Sequence, residues 1–331
     1  MTEKLFFDVC EVAAWGWLRR LMLGGHHDGS RGCFVESHRR QNRAGSATAG
    51  RSGPDDLTWL QERATARARA ERWFTDPRLR PVSIGYDDRD TATSRLLCLQ
   101  VGLAQVGRPV RRLLDVSCGG GDLLAEAARI VPEVVGVDPV AVAVAAARQR
   151  LTGGPRCRVD ELSMEQLADP AGQTLGTFDL AIMHLVFGLV ENPLAGLLAV
   201  ADRLSEGGLF YATDLLRPAA FNADPHVAVA FRPANSDEHA YLVDQVAASF
   251  SWDELIALGQ AVERCAPVRV EVRAGGLGGF DIASGQARRL VAARAQHMIP
   301  LLRRFEDDGA PEGAGPPPYE VMWHLYLRRL T

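Results

Sequence analysis

Lysine is almost absent from this chain: Lys4 stands alone among 37 basic residues. Arginine carries the rest, a bias that GC-rich coding explains without a demand for arginine chemistry. Cysteine is also sparse, six residues at 10, 33, 98, 118, 157 and 265 with no Cys-x-x-Cys pair. That spacing excludes a disulfide framework and a patterned zinc site, and it suits a reducing cytoplasm. No uninterrupted apolar run reaches about 18 residues, so no membrane span is indicated. There is no basic excess either: the formal net charge is −4, which argues against duplex nucleic acid as the main partner. What is present is a chain of 331 residues with 47% hydrophobic content, enough for one large domain or two small ones.

The first fifty residues lack the order of a secretory leader. Apolar and aromatic side chains over 5–23 (Phe6, Phe7, Trp15, Trp17, Leu18, Leu21) are interrupted by Glu11, Arg19 and Arg20. A leader places its cations before the apolar segment and a small-residue cleavage site after it. Residues 24–56 then turn to Gly, Ser, Arg and His with little periodicity, so 1–56 is read as a poorly ordered extension whose deletion the domain tolerates. His26, His27, Cys33 and His38 lie in that tract without the spacing of a zinc site.

The informative stretch runs from Arg112 to Asp138. An apolar run (Leu113, Leu114, Val116) leads into three consecutive glycines, Gly119, Gly120 and Gly121. Helical spacing of Leu123, Leu124, Ala127 and Ala128 follows, and a second apolar run closes on Asp138. The pattern predicts strand, glycine turn, helix and strand, half of a doubly wound nucleotide-binding sheet. Glycine at the turn lets backbone approach a ligand. A carboxylate at the tip of the second strand can accept hydrogen bonds from both hydroxyls of a ribose, so the expected ligand is an adenosine derivative. A dinucleotide site wants a further glycine three residues after Gly121, and Leu124 stands there. Asp115 would repel a pyrophosphate, whereas it attracts an ammonium or a sulfonium.

With these residues, Asp115-Val-Ser-Cys-Gly-Gly-Gly121 resembles motif I of the class I S-adenosylmethionine-dependent methyltransferases, usually Asp-Val-Gly-Cys-Gly-x-Gly. Ser117 replaces the first glycine. The resemblance, continuous over about 110–214, implies an α/β fold: a Rossmann-like seven-stranded sheet, mostly parallel with an antiparallel last strand, and helices on both faces. It implies S-adenosylmethionine as cofactor, held by Asp115, Ser117, Gly119, Gly121, Asp138 and the following Pro139. An N-terminal helical pair folds over the cleft in this family, making Tyr86 and Arg95 candidates for the methionine carboxylate; an arginine fork suits a carboxylate. An acid ending the third strand receives the adenine amino group, a place for Asp160 or Glu161.

Further along, an amphipathic helix is expected over roughly 58–74 and another through Leu96–Leu103. Helices follow at Ala141–Arg150 and from Pro193 to about Leu204. Strands are expected at Cys157–Val159, at Phe178–Met183 ending at His184, after the Gly207-Gly208 turn to Asp214, at Val268–Val272 and at Val321–Leu327. The domain plan is an extension over 1–56, a helical cap over 57–108, and a cofactor-binding domain over 109–331. Irregular lid insertions are expected at about 215–249 and 284–318, the second containing an arginine-rich helical stretch. Ser251 with Glu254 reads as a capping box.

His184 lies where family members face the methyl group, and an imidazole titrating near neutrality suits a general base. Alternatively it hydrogen-bonds backbone or lines the adenine pocket. Asp214 is a second candidate, for orienting substrate; His226, His239 and Tyr241 fall in the lid. The family's Asn-Pro-Pro-Tyr signature for nucleobase and glutamine amines is missing, since His184-Leu-Val-Phe stands there. The reading is methyl transfer to oxygen or nitrogen of a small molecule, in secondary metabolism and in the cytoplasm, with a homodimer as the expected assembly and neither nucleic acid nor membrane as partner. Two alternatives keep the cofactor: a non-methylating reaction (cyclisation, aminocarboxypropyl transfer or pericyclic catalysis), and a non-catalytic partner subunit. Asp138→Ala is expected to weaken cofactor binding with little change in the fold.

Overall fold

The computed structural model describes residues 59–86, 92–151, 156–218, 233–274 and 322–331. All of them belong to one compact unit, Ser52–Thr331. The expectations for 1–56, for His226 and for the insertion at 284–318 lie outside the described residues.

After a helical turn at Trp59–Glu62, the principal helices are α1 (Ala64–Thr75), α2 (Arg80–Tyr86), α3 (Ala92–Val106), α4 (Asp122–Ala127), α5 (Ala141–Arg150), α6 (Pro193–Arg203), α7 (Ser236–Ala248) and α8 (Trp252–Cys265). The strands are β1 (Arg112–Val116), β2 (Glu133–Asp138), β3 (Cys157–Glu161), β4 (Phe178–His184), β5 (Leu204–Leu215), β6 (Val268–Ala274) and β7 (Met322–Arg329). They form one sheet in the order β3-β2-β1-β4-β5-β7-β6. β1 to β5 pair in parallel, and β7 runs antiparallel to both β5 and β6. This is the Rossmann-like sheet with one reversed strand that the sequence predicts.

Near-continuous apolar runs, rather than alternation, mark strands covered on both faces. On one face Leu113, Leu180, Ile182 and Tyr211 pack with Leu99 of α3, Leu124 of α4 and Ala147 of α5. On the other, Ala181, Met183, Phe210 and Leu325 pack with Leu197 of α6 and Leu258 of α8. Asn192 caps α6 by accepting from Ala195 N at 3.1 Å, with Pro193 in the first turn. The Ser251–Glu254 capping box opens α8.

The segment expected to be irregular, 215–249, holds a full helix. Asn235 caps α7 through Asp237 N and Glu238 N, two acids fill its first turn, and Glu238, Tyr241, Leu242 and Val246 line its buried face. Leu242 and Val246 join Trp73 of α1, with Val82 of α2 packed against them. Trp73 also donates its indole N–H to Asp244 at 2.9 Å, and its ring meets Tyr241 edge-on at 5.7 Å. Half of the expected cap and part of the expected lid therefore share one small core, while α3, grouped with the cap by sequence, packs on the sheet.

Candidate active site

The chain leaves β1 for β2 and β3 on one side of the sheet and for β4 and β5 on the other. A crevice opens where that order reverses, outside the carboxyl ends of β1 and β4, the place where open α/β sheets bind ligands. Register fixes which side chains share it. On the face toward α3, Glu161 pairs with Asp138; His184, Thr213, His324 and Arg273 form one row across β4, β5, β7 and β6. Asp115 faces the same side, paired with Gly136 and Ile182.

Asp138 is buried, and both of its oxygens are already engaged. Gly119 N–H donates to Oδ2 and Val140 N–H to Oδ1, each at 2.9 Å. Burial raises its pKa, partly offset by those two bonds. Each carboxylate oxygen still has a second lone pair for a ligand hydroxyl. The carboxylate thus also fastens the glycine turn, so a cost of Asp138→Ala to stability, as well as to cofactor binding, is to be tested. Asp115 differs: it is 3% exposed, and its Oδ2 is buried without a hydrogen-bond partner. Burial first, then the negative charge of Asp138, raises its pKa well above the ordinary carboxyl value. A buried carboxyl oxygen with no donor, beside a second acid, is a place prepared for a cation.

The glycines divide their labour. Gly119, at φ 53, has open space where a Cβ would stand, the condition for close ligand approach. A Cβ on Gly121 would meet Ala147 Cβ at 3.0 Å, so this glycine serves the packing of α4 on α5. Gly136 was not singled out by sequence: a Cβ there would meet Leu124 Cδ1 at 2.3 Å and Cys118 Sγ at 2.8 Å. Close helix–strand approach, the task of the missing third glycine, is taken over by β2. Cys118 is accordingly a buried packing residue, with its thiol raised by burial. Ser117, where the family pattern has glycine, adopts a left-handed backbone at φ 61, a conformation costing about 1–2 kcal/mol for an L-residue.

Arg95 of α3 pairs with Asp122 Oδ2 at 3.3 Å, and Arg150 pairs with Asp122 Oδ1 at 2.6 Å. The Arg95 guanidinium acts electrostatically on both Asp115 and His184, so it sits over the crevice. Tyr86 is the last residue of α2. Asp160 pairs in register with Val137, on the face away from Asp138, and lies 2.5 Å from Arg158 Nε. Glu161 is exposed, alongside Asp138, and Pro139 is exposed next to it.

His184 closes β4, partly buried. Desolvation, then Arg95 and His324, push its pKa down to about 3. The imidazole is therefore neutral at physiological pH and does not titrate near neutrality, contrary to the expectation for a tuned base. His324, unsuspected from sequence, is buried with Nδ1 2.9 Å from the Tyr211 hydroxyl. Thr213 donates its hydroxyl to Trp323 O at 2.9 Å.

Asp214 does not join this row. It faces the opposite side, where Oδ2 accepts from Gly188 N at 2.8 Å and Oδ1 from Leu215 N at 2.7 Å. Burial raises its pKa to about 6 against those bonds and the charge of Arg63. Arg63, itself buried, donates to Gly188 O at 3.1 Å and to Ala248 O, and lies 3.6 Å over the Phe250 ring. Asp214 and Arg63 together hold the turn after β4. Tyr241 is likewise a packing residue, and His239 lies on α7. A cleft of about 650 Å3 lined by Arg111, Arg112, Arg156 and Arg158 opens at the amino ends of β1–β3, away from all of these groups.

A family model described as a methyltransferase domain matches residues 88–256, just over half of the chain. The chain belongs to the class I S-adenosylmethionine-dependent methyltransferases, and S-adenosylmethionine is the family's cofactor. The ubiquinone biosynthesis O-methyltransferase of Xanthomonas campestris pv. campestris (strain B100) is 34% identical over 119 residues, 36% of this chain and 49% of that protein. Its namesake from Albidiferax ferrireducens is 31% identical over 114 residues, 34% of this chain and 44% of that protein. The chain thus spans about half the length of the curated relatives it matches. Among solved structures, the plantazolicin methyltransferase BamL, in complex with a triazolic desmethylPZN analog and SAH, shares a TM-score of 0.64 at 24% identity, over 83% of this chain and 99% of that one. BpumL in complex with SAH gives 0.63 at 23%, over 82% and 98%. At that identity the likeness is one of fold. Among the described residues no helix is long and apolar enough to cross a membrane.

Proposed function

We propose that the chain transfers the methyl group of S-adenosylmethionine to an oxygen or nitrogen of a small acceptor in the crevice between β1 and β4. The observation that carries this reading is the Asp115 carboxylate, buried, unpartnered at Oδ2 and adjacent to Asp138. Asp115 would face the cofactor's cationic end, Asp138 its ribose, the open backbone at Ser117 and Gly119 its middle, and Glu161 or Pro139 its base, since Asp160 points to the other face of the sheet. Arg95, with Tyr86, is the candidate for its carboxylate, by exchange from Asp122. When bound, the cofactor supplies a methyl carbon on a positively charged sulfur.

The chain's own residues then have to align and desolvate. Bond formation to the methyl carbon and departure of the sulfur electron pair require near-collinear atoms, so positioning supplies much of the rate. His184, neutral, can accept a hydrogen bond from the acceptor's O–H or N–H and orient its lone pair; the proton leaves to solvent. Thr213 and His324 continue that polar row on the acceptor side. Asp214 belongs to the scaffold beneath it. The curated relatives are named as O-methyltransferases, so hydroxyl acceptors are the first to test. The reading places the reaction in secondary metabolism and in the cytoplasm; only the compartment is supported by the cysteine usage. Incubation with methyl-labelled S-adenosylmethionine and a metabolite extract should give S-adenosylhomocysteine and one labelled acceptor. Methylthioadenosine instead would mean attack on the amino-acid chain, and cofactor binding with neither product would mean a non-catalytic subunit.

A further inference from the structure

Leu185, directly after His184, has a left-handed backbone at φ 58. A bulky residue with positive φ is a genuine outlier, and such strain persists only where the surroundings over-determine it. Three contacts do so here. Leu185 N–H donates to Thr213 O at 2.9 Å, extending the β4–β5 ladder one bond past His184. Three residues on, Gly188 N–H is held by Asp214. Between these pins, the Leu185 side chain packs into the small core made by Trp73, Leu215, Tyr241, Leu242 and Val246.

Strand alternation would send Leu185 toward α6 and α8, opposite His184. The left-handed turn instead sends it to the core shared by α1, α2 and α7. That contact offsets the backbone strain, so the packing of those helices and the end of β4 depend on each other.

We propose that Leu185 is a positioning residue through which the α1–α2–α7 core holds the His184 ring at the crevice. The inference rests on the reading of His184 as an acceptor-orienting group, but its test does not need the acceptor. Side-chain 15N signals of His184, assigned by their loss in His184→Gln, report its tautomer and hydrogen bonding. The wild type should show one fixed tautomer. Leu185→Ala removes the contact and keeps the backbone penalty, so the His184 signals should move toward the tautomer-averaged position. Leu185→Gly removes the contact and frees the backbone as well, so the signals should move at least as far. A purely packing role predicts lower folding stability in both variants and no movement of His184 in either. If Leu185→Ala proves insoluble, Leu185→Asn, polar but tolerant of this backbone, takes its place with the same expectation as glycine. Unmoved His184 signals in every soluble variant overturn the proposal. Once an acceptor is known, Leu185→Ala should lose up to about tenfold in kcat, no more than His184→Ala loses, with S-adenosylhomocysteine affinity unchanged. A wild type that binds neither S-adenosylmethionine nor S-adenosylhomocysteine would instead remove the functional reading and leave the His184 spectra to decide this one.

Discussion

The two halves of the sheet's carboxyl edge are built from opposite chemistry. On the β3-β2-β1 side the crevice is rimmed by Glu161, Asp138 and Asp115; on the β4-β5-β7-β6 side the same row reads His184, Thr213, His324 and Arg273. Burial raises Asp115 and Asp138, and at Asp115 the neighbouring Asp138 adds to it against Arg95, while burial and neighbouring positive groups lower His184. One half is an anionic cup that a cationic ligand would relieve. The other is neutral to basic, and suits an acceptor held by hydrogen bonds. On the proposed reading, that difference in charge would separate a cofactor side from an acceptor side.

The largest effect should come from the acidic half. Asp138→Ala leaves Gly119 N–H and Val140 N–H without their acceptor, at a cost of roughly 2 kcal/mol or more in unfolding free energy. Cofactor affinity should fall by about tenfold to a hundredfold as charge-assisted bonds are lost. Urea denaturation and calorimetry check both; an unchanged midpoint would mean that the glycine turn does not need this carboxylate.

A smaller effect is expected in the neutral half. With His184 near 3, its ionisation contributes no inflection to the rate profile between pH 6 and 8. His184→Gln should keep most of the turnover, and His184→Ala should lose about tenfold, the worth of one hydrogen bond of about 1.5 kcal/mol. A wild-type profile rising through pH 7 that flattens in His184→Gln would restore the general-base role.

Asp214 sharpens the contrast from beneath the row. Its pKa is raised from 3.8 to about 6, so between those values the folded chain keeps a proton that the unfolded chain has released. Stability from this group is present below pH 3.8 and is lost as pH rises through about 6. Unfolding free energy of Asp214→Asn minus wild type should therefore climb across that window; parallel curves would contradict it. The smallest effect belongs to Ser117→Gly. Relief of the left-handed strain exceeds the added chain entropy by roughly 0.5 kcal/mol, visible as a slight rise in Tm.

Legibility followed sequence distance. Asp115, the glycines and Asp138 lie within 27 residues (112–138), and local spacing there specifies strand, turn and helix, so the anionic half could be read directly. Thr213, His324 and Arg273 meet only through β5–β7–β6 register; the reversed last strand was expected from the family resemblance, but which of its residues would share the crevice was not. Asp214 was misassigned because adjacent strand residues face opposite sides, and one position decides the matter. His184 ends the fourth strand as expected, but its titration was not legible, since desolvation by a folded neighbourhood has no local signature. α7 did have one: Asn235 followed by Asp237 and Glu238, then Tyr241, Leu242 and Val246 at helical spacing, obscured by the prolines before it.

The central claim, that the acidic half alone takes the cofactor's positive charge, is tested most directly by calorimetry of two ligands on two variants. Asp115→Asn should weaken S-adenosylmethionine by about tenfold or more and S-adenosylhomocysteine, which lacks the sulfonium charge, by clearly less. His184→Gln should leave both affinities unchanged. Equal losses for the two ligands in Asp115→Asn, or a loss in His184→Gln matching that of Asp115→Asn, would contradict the division of the site.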